Sequence, residues 1–287
     1  MNTLIILLGA GLVTVLVALL WWLLVTTEGV YLGRRVVIGL YDLYAARYDD
    51  IKQFNPQYDH IFLAAPIMGM LAPHQSPLIL DVATGTGRLP DAMFNHTYFH
   101  GRVFATDLSR RMLEQAAEKL HDDLERMALL WCPAEQLPFD DGAFDVVTCL
   151  EALEFMPDPA QVLGELVRVL RPGGLLLITN RVGRHMMPGK TFTRSELRRM
   201  LADHQVEDVE IELWQRDYHR VWGMKDGDSP VTGARPLIEV LRCPVCGGHF
   251  EVVNDDVWRC ATCSAEITIG DDWIVNLAPL YGNGVTR

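Results

Sequence analysis

From Leu4 to Thr27 the chain is apolar and uncharged, and Glu28 ends the run. About 20 such residues cross the hydrocarbon core of a bilayer as a helix. Trp21 and Trp22 stand near its end, where indole rings favour the membrane–water interface. A cleaved leader would show a basic start, a shorter apolar stretch and a small-residue cleavage site; none precedes Glu28. Arg34, Arg35 and Arg47 follow the run, and only the α-amino group precedes it. The positive-inside rule then predicts a single-pass membrane protein, anchored through residues 1–28, with its bulk facing the cytoplasm.

Beyond Pro77 the pattern changes to short apolar runs separated by amphipathic stretches. This predicts an α/β fold, a mostly parallel sheet with helices on both faces. Strands are expected at Leu78–Ala83, Arg102–Thr106, Ala128–Cys132, Phe144–Leu150 and Leu175–Thr179. Helices are expected from near Pro90, from Ser109 to Met127, and from Pro159 to Leu170, the last stopped by Arg171-Pro172-Gly173-Gly174. Thr193-Arg194-Ser195-Glu196 is a capping-box pattern opening a helix to His204. Val209–Trp214 and Asp217–Met224 alternate as an antiparallel hairpin would, and Asp226–Arg235 has the Gly, Asp, Ser and Pro content of a linker.

Candidate chemistry gathers where the first two strands end. Leu78–Ala83 runs into Thr84-Gly85-Thr86-Gly87, a turn that lets a ligand approach the backbone beside a helix N-terminus. Asp107 ends the second strand, where a carboxylate can accept hydrogen bonds from two ribose hydroxyls. Two features separate this turn from a dinucleotide fingerprint. Pro90 stands where that fingerprint wants its third Gly. Asp81, just before the glycines, would repel a pyrophosphate but suits the ammonium of an amino-acid moiety.

Charge and cysteine content narrow the picture. A formal charge of −12 over 287 residues disfavours nucleic acid as a partner, since phosphate binding rests on Lys and Arg. Of six cysteines, Cys132 and Cys149 lie in apolar surroundings and read as small core residues. The other four form two C-x-x-C knuckles, Cys243/Cys246 and Cys260/Cys263, separated by 13 residues. Four thiolates so spaced suit a closed, tetrahedral structural Zn2+ in a ribbon too small to fold without it. Thiolate ligands also fit a reducing compartment. The ribbon carries more acidic than basic residues, so it is expected to brace the main domain or meet a protein partner rather than grip nucleic acid.

Taken together, several blocks resemble class I S-adenosylmethionine-dependent methyltransferases. They are Asp81-Val82-Ala83-Thr84-Gly85-Thr86-Gly87, Asp107, Ala134-Glu135 with Leu137-Pro138-Phe139, Phe144-Asp145-Val146-Val147, and Arg168 to Gly174. The branch most resembled is the ubiquinone/menaquinone-biosynthesis C-methyltransferases and their methyltransferase type 11 relatives. Tyr41-Asp42 and Ala45 to Asp49 resemble that branch's cofactor-covering segment. Leu241–Leu277 resembles the zinc-ribbon proteins that activate methyltransferases.

The resemblance implies a Rossmann-like, seven-stranded sheet. It also implies that Asp81, Ala83, Gly85 and Gly87 line the methionine end of S-adenosylmethionine, and that Asp107 holds the ribose. Leu108, Ala134 and Glu135 would lie by the adenine, and Tyr48 would close over the cofactor. Ala83 stands where many members have Gly, and Glu154 where relatives of this branch often have His. Glu151 and Glu154 are the catalytic candidates, with His185 as a further base; Cys149 at a strand end is a nucleophile only in an alternative reading. The expected organisation is an anchor at 1–28, a helical covering segment at 29–75, a catalytic domain at 76–225, a linker at 226–240, a ribbon at 241–278 and a tail at 279–287. The expected acceptor is a lipophilic small molecule met at the membrane. A non-catalytic membrane scaffold keeping the same fold is the alternative.

Overall fold

The computed structural model describes residues 2–182 and 189–282. Helix α1, Asn2–Trp21, continues through a π-helical turn at Trp22–Thr26. The most apolar 18 residues within Thr3–Thr26 have a mean hydropathy of 2.8, and none of them is buried by the rest of the protein. The chain then folds back, with Trp22 stacked on Tyr31 at 5.4 Å. Four short helices follow: α2 (Arg34–Tyr44), α3 (Tyr48–Lys52), α4 (Pro56–Asp59) and α5 (Ala65–Leu71).

The core sheet is built from β1 (Leu78–Val82), β2 (Arg102–Asp107), β3 (Met127–Trp131), β4 (Phe144–Cys149), β5 (Leu170–Arg181), β6 (Val206–Trp214) and β7 (Tyr218–Lys225). Strands β1 and β4 are buried at every position, as expected of parallel strands covered on both faces. The covering helices are α6 (Arg88–Phe94), α7 (Arg110–Lys119), α8 (Pro159–Val169) and α9 (Arg194–Asp203). Ser109, Asp158 and Thr193 cap the last three through their side-chain oxygens, and Thr193 with Glu196 forms the expected capping box. Each such cap contributes about 1 kcal/mol.

The sheet does not stop at the catalytic core. Its order is β6-β7-β5-β4-β1-β2-β3-β11-β10-β9-β8, one continuous eleven-stranded sheet. The last four strands, β8 (Phe250–Asn254), β9 (Val257–Cys260), β10 (Glu266–Ile269) and β11 (Ile274–Asn276), belong to the cysteine-bearing segment. β11 lies parallel to β3, with Ile274 opposite Leu129 and Asn276 opposite Trp131. Ile267, Val275 and Leu277 share one buried cluster with Leu130 and Phe139 of the catalytic core.

The Gly- and Pro-rich stretch after β7 is tied down. Asp145 is wholly buried and accepts from Leu78 N–H (2.9 Å), Arg171 Nε (2.7 Å), Thr232 N–H (2.8 Å) and Gly233 N–H (3.1 Å). A short helix, α10 (Leu237–Val240), then seats Val240 in the core.

Candidate active site

The sheet orients its chemistry at the carboxyl ends of β1, β2 and β4. Gly85 has φ +57° and Gly87 φ +79°, the left-handed region that glycine tolerates. A side chain at Gly87 would also meet Leu120 Cδ1 at 2.9 Å. Ala83 takes φ +56° without being glycine, a strain of about 1 kcal/mol.

The two aspartates hold this turn in shape. Asp81 Oδ2 accepts from the Thr84 hydroxyl at 2.7 Å, and Oδ1 from the Thr148 hydroxyl at 2.6 Å. Asp107 Oδ2 accepts from Gly85 N–H, and Oδ1 from Ser109 N–H, each at 2.8 Å. Burial pushes both carboxyls up to about 6, against the hydrogen bonds that favour their charged forms.

Two adjoining hollows open over these residues. The larger is lined by Ala83, Gly85, Asp107, Leu108, Ala134 and Glu151. Arg34, Tyr41 and Tyr48 border it from the α2–α3 segment. The smaller is bordered by Asp81, Thr86, Arg88 and Phe54, and it shares Tyr48, Ala83, Gly85 and Glu151 with the first. Glu135 borders neither, but its carboxylate pairs with Arg34 at 2.9 Å. Gly87 borders neither and instead opens α6.

Polar ties pin the covering segment down. Ser109 Oγ donates to Asp42 at 2.5 Å, and Asp49 receives the Thr86 hydroxyl and the Lys119 ammonium. Tyr41 and Tyr48 stand 5.8 Å apart, and Tyr48 lies 5.8 Å from Phe54. Such aromatic faces attract a cation.

Arg88 had no place in the sequence reading. It pairs with Asp59 at 2.5 Å and with Glu151 at 2.8 Å, and lies 4.3 Å over the Phe54 ring. Its buried Nε has no hydrogen-bond partner among the described residues. Burial lowers its pKa, but the bonds to Asp59 and Glu151 more than offset that. The unpartnered donor beside the smaller hollow suits a carboxylate. Motif reading missed Arg88 because its partners Asp59 and Glu151 are distant in sequence; an arginine directly after the glycine turn was the available signal.

The two candidate glutamates part company. Glu151 borders both hollows and carries φ +52°. Glu154 is buried, accepts the Tyr218 hydroxyl at 2.5 Å and has Arg181 at 3.7 Å. Burial raises its pKa despite these partners. Cys149 is fully buried, and burial raises its thiol pKa, which suits a core residue rather than a nucleophile. His185 lies outside the described residues.

Comparison with known proteins turns this geometry into a family. The family described as "Methyltransferase domain" matches residues 80–178. The demethylmenaquinone methyltransferase of Listeria welshimeri is 31% identical over 171 residues, which cover 50% of this chain and 72% of that protein. The chain belongs to the class I S-adenosylmethionine-dependent methyltransferases. The ubiquinone/menaquinone biosynthesis C-methyltransferase UbiE of Bordetella parapertussis is 32% identical over 156 residues, 54% of this methyltransferase and 60% of the relative. The chain thus spans well under two thirds of that relative's length. Among solved structures, the [4+2]-cyclase SpnF aligns with TM-score 0.56 and 17% identity, over 68% of this chain and 96% of its own. A chain of the complex between the Haloferax volcanii Trm112 methyltransferase activator and a methyltransferase aligns with TM-score 0.51 and 21% identity, over 65% and 98%. At these identities the two structures speak for the fold.

The residues present fit the family's cofactor. A buried carboxyl at Asp81 suits an ammonium, the free Arg88 Nε a carboxylate, and Asp107 a diol. At the far end of the chain, the four sulfur atoms of Cys243, Cys246, Cys260 and Cys263 lie within 4.8 Å of one another. Cys243–Cys263 and Cys246–Cys260 Sγ distances are 3.7 and 3.4 Å. Zn–S bonds of about 2.3 Å in a tetrahedron need sulfurs about 3.8 Å apart, so the cluster could hold zinc.

The raised carboxyls predict a pH-dependent response to cofactor. Asp81 and Asp107 favour the folded state fully below their ordinary value of 3.8, and that contribution is lost as pH rises through about 6. A ligand that favours the charged carboxylates restores stability above that window. The rise in Tm with saturating S-adenosylmethionine is expected to be larger at about pH 7.5 than at about pH 5, by roughly 3 °C or more. Equal shifts at both pH values would remove these carboxyls from the binding account.

Proposed function

We propose that this methyltransferase is tethered to a bilayer by its N-terminal helix and methylates a lipophilic acceptor at that surface. The observation that carries the reading is the placement of α1. An exposed apolar helix long enough to cross a membrane ends only a few residues before α2, whose Arg34 borders the cofactor hollow. The names of the relatives point the same way, since they concern ubiquinone and menaquinone biosynthesis. Orientation toward the cytoplasm rests on Arg34, Arg35 and Arg47.

In this reading Asp107 holds the ribose, Leu108 and Ala134 flank the adenine, and Asp81 faces the ammonium. Arg88 takes the carboxylate, and Tyr48 closes over the sulfonium. Bound S-adenosylmethionine supplies an already activated methyl group, so the chain's task is alignment and exclusion of water. Glu151, at the border of both hollows and paired with Arg88, would face the acceptor. Glu154, buried against Tyr218 and Arg181 and bordering neither hollow, holds structure rather than substrate. The ribbon, holding one structural zinc, supports β3 through its pairing with β11.

The test is incubation of native membranes with methyl-labelled cofactor, with and without the protein, followed by separation of lipid, protein and RNA. Label is expected in the lipid fraction. Label confined to protein or RNA would overturn the lipophilic acceptor.

A further inference from the structure

A cavity apart from the two active-site hollows lies between the end of the apolar helix and the roof of the active site. Its volume is about 400 Å³, inside the roughly 300–1,000 Å³ range of small-ligand sites. Leu24 and Val25 from the end of the apolar helix line it together with Leu40, Tyr44 and Ile51 from the covering segment. Val25, Tyr44 and Ile51 are exposed, so the cavity has an apolar mouth beside the segment that would enter the bilayer. Its inner wall is Tyr41 and Tyr48, the same two rings that border the cofactor hollow. Tyr41 is held in that wall by donating its hydroxyl to Glu28 at 2.7 Å. Burial raises the Tyr41 pKa, so the phenol keeps its proton and stays a donor. A single pair of aromatic side chains therefore separates an apolar vestibule from the site of methyl transfer.

We propose that this vestibule holds the apolar tail of the methyl acceptor, entering from the bilayer between Val25 and Ile51, while its head passes the Tyr41–Tyr48 wall toward Glu151. The proposal rests on the lipophilic-acceptor reading and adds a route and a binding site to it. A long prenyl or alkyl chain fits because the lining is apolar or aromatic apart from Glu28 and Lys52, whose charges face each other at 3.8 Å while Glu28 also takes the Tyr41 hydroxyl. A small polar acceptor would leave those walls unpaired with anything.

The test uses the full chain in phosphatidylcholine vesicles with a prenyl photoprobe carrying its benzophenone at the far end of the tail, so that adducts mark where the tail is seated. Adducts are expected on the peptide containing Leu40–Lys52. Ile51→Trp, which fills the mouth, is expected to lower that labelling roughly fivefold or more while leaving S-adenosylhomocysteine affinity unchanged. Leu24→Trp, filling the cavity from the apolar helix, should do the same. Labelling of Ile51→Trp at the wild-type level, or adducts confined to Thr3–Leu20, would overturn the vestibule. Failure of the acceptor reading shows separately, as methyl label in protein or RNA in the fractionation of wild-type protein.

Discussion

Replacing Cys260 with serine is expected to unfold the C-terminal ribbon and strip one edge from the catalytic sheet. Cys260 is buried, and its sulfur lies 3.4 Å from that of Cys246. Structural zinc contributes on the order of 10 kcal/mol to folding of such small segments, far more than four short strands supply alone. The damage should spread, because Ile274 and Leu277 are wholly buried and β11 covers β3. An uncovered β3 presents Leu129 and Leu130 along an open edge, which invites aggregation. Elemental analysis should find one zinc in the wild type and none in the variant, with Tm lower by about 10 °C or more. A metal-free variant that melts like the wild type would refute the structural role of the cluster.

Asp107→Ala is expected to weaken S-adenosylmethionine binding by about 1–3 kcal/mol, read by calorimetry as an affinity lower by about 5- to 150-fold. Two losses combine. The ribose loses its charged acceptor, and the Gly85 and Ser109 N–H groups lose theirs, so the glycine turn relaxes. Asp107→Asn keeps one acceptor oxygen and should fall between. Asp81→Asn should be milder for the turn, because one threonine hydroxyl still donates to the remaining oxygen and the other can rotate to accept from the new amide. Unaltered affinity in Asp107→Ala would remove the ribose assignment.

Features set by neighbours in sequence were readable before any coordinates. The run Leu78–Ala83, the glycine turn and Asp107 are local, and hydrophobic period plus spacing locate them. The four cysteines are equally local. Boundaries slipped where local preferences compete. The helix after Ser109 was expected to reach Met127, but α7 ends at Lys119 and a 3₁₀ segment, His121–Arg126, follows. His121, Asp122 and Asp123 are weak helix formers, which explains the break. Arg171-Pro172-Gly173-Gly174 was expected to separate helix from strand, yet β5 already begins at Leu170. Leu170 pairs with Phe144 and Leu175 with Val146, so the extra residues are absorbed as an irregularity in the ladder. What stayed hidden is what long-range contact alone decides: Arg88 between Asp59 and Glu151, Arg34 on Glu135, and β11 on β3. No periodicity encodes those meetings.

The pairing of β3 with β11 also sets an order of events during synthesis. Leu129 and Leu130 leave the ribosome long before Ile274 and Val275 exist to cover them. Until then the nascent catalytic domain carries a raw strand edge, the kind of species that associates with its neighbours. Closure waits for the last strand, and in the proposed zinc-ribbon reading that strand would wait for four thiols to find their ion. The supply of metal at the moment of translation, rather than its supply to the finished enzyme, would then govern how many chains reach the active state.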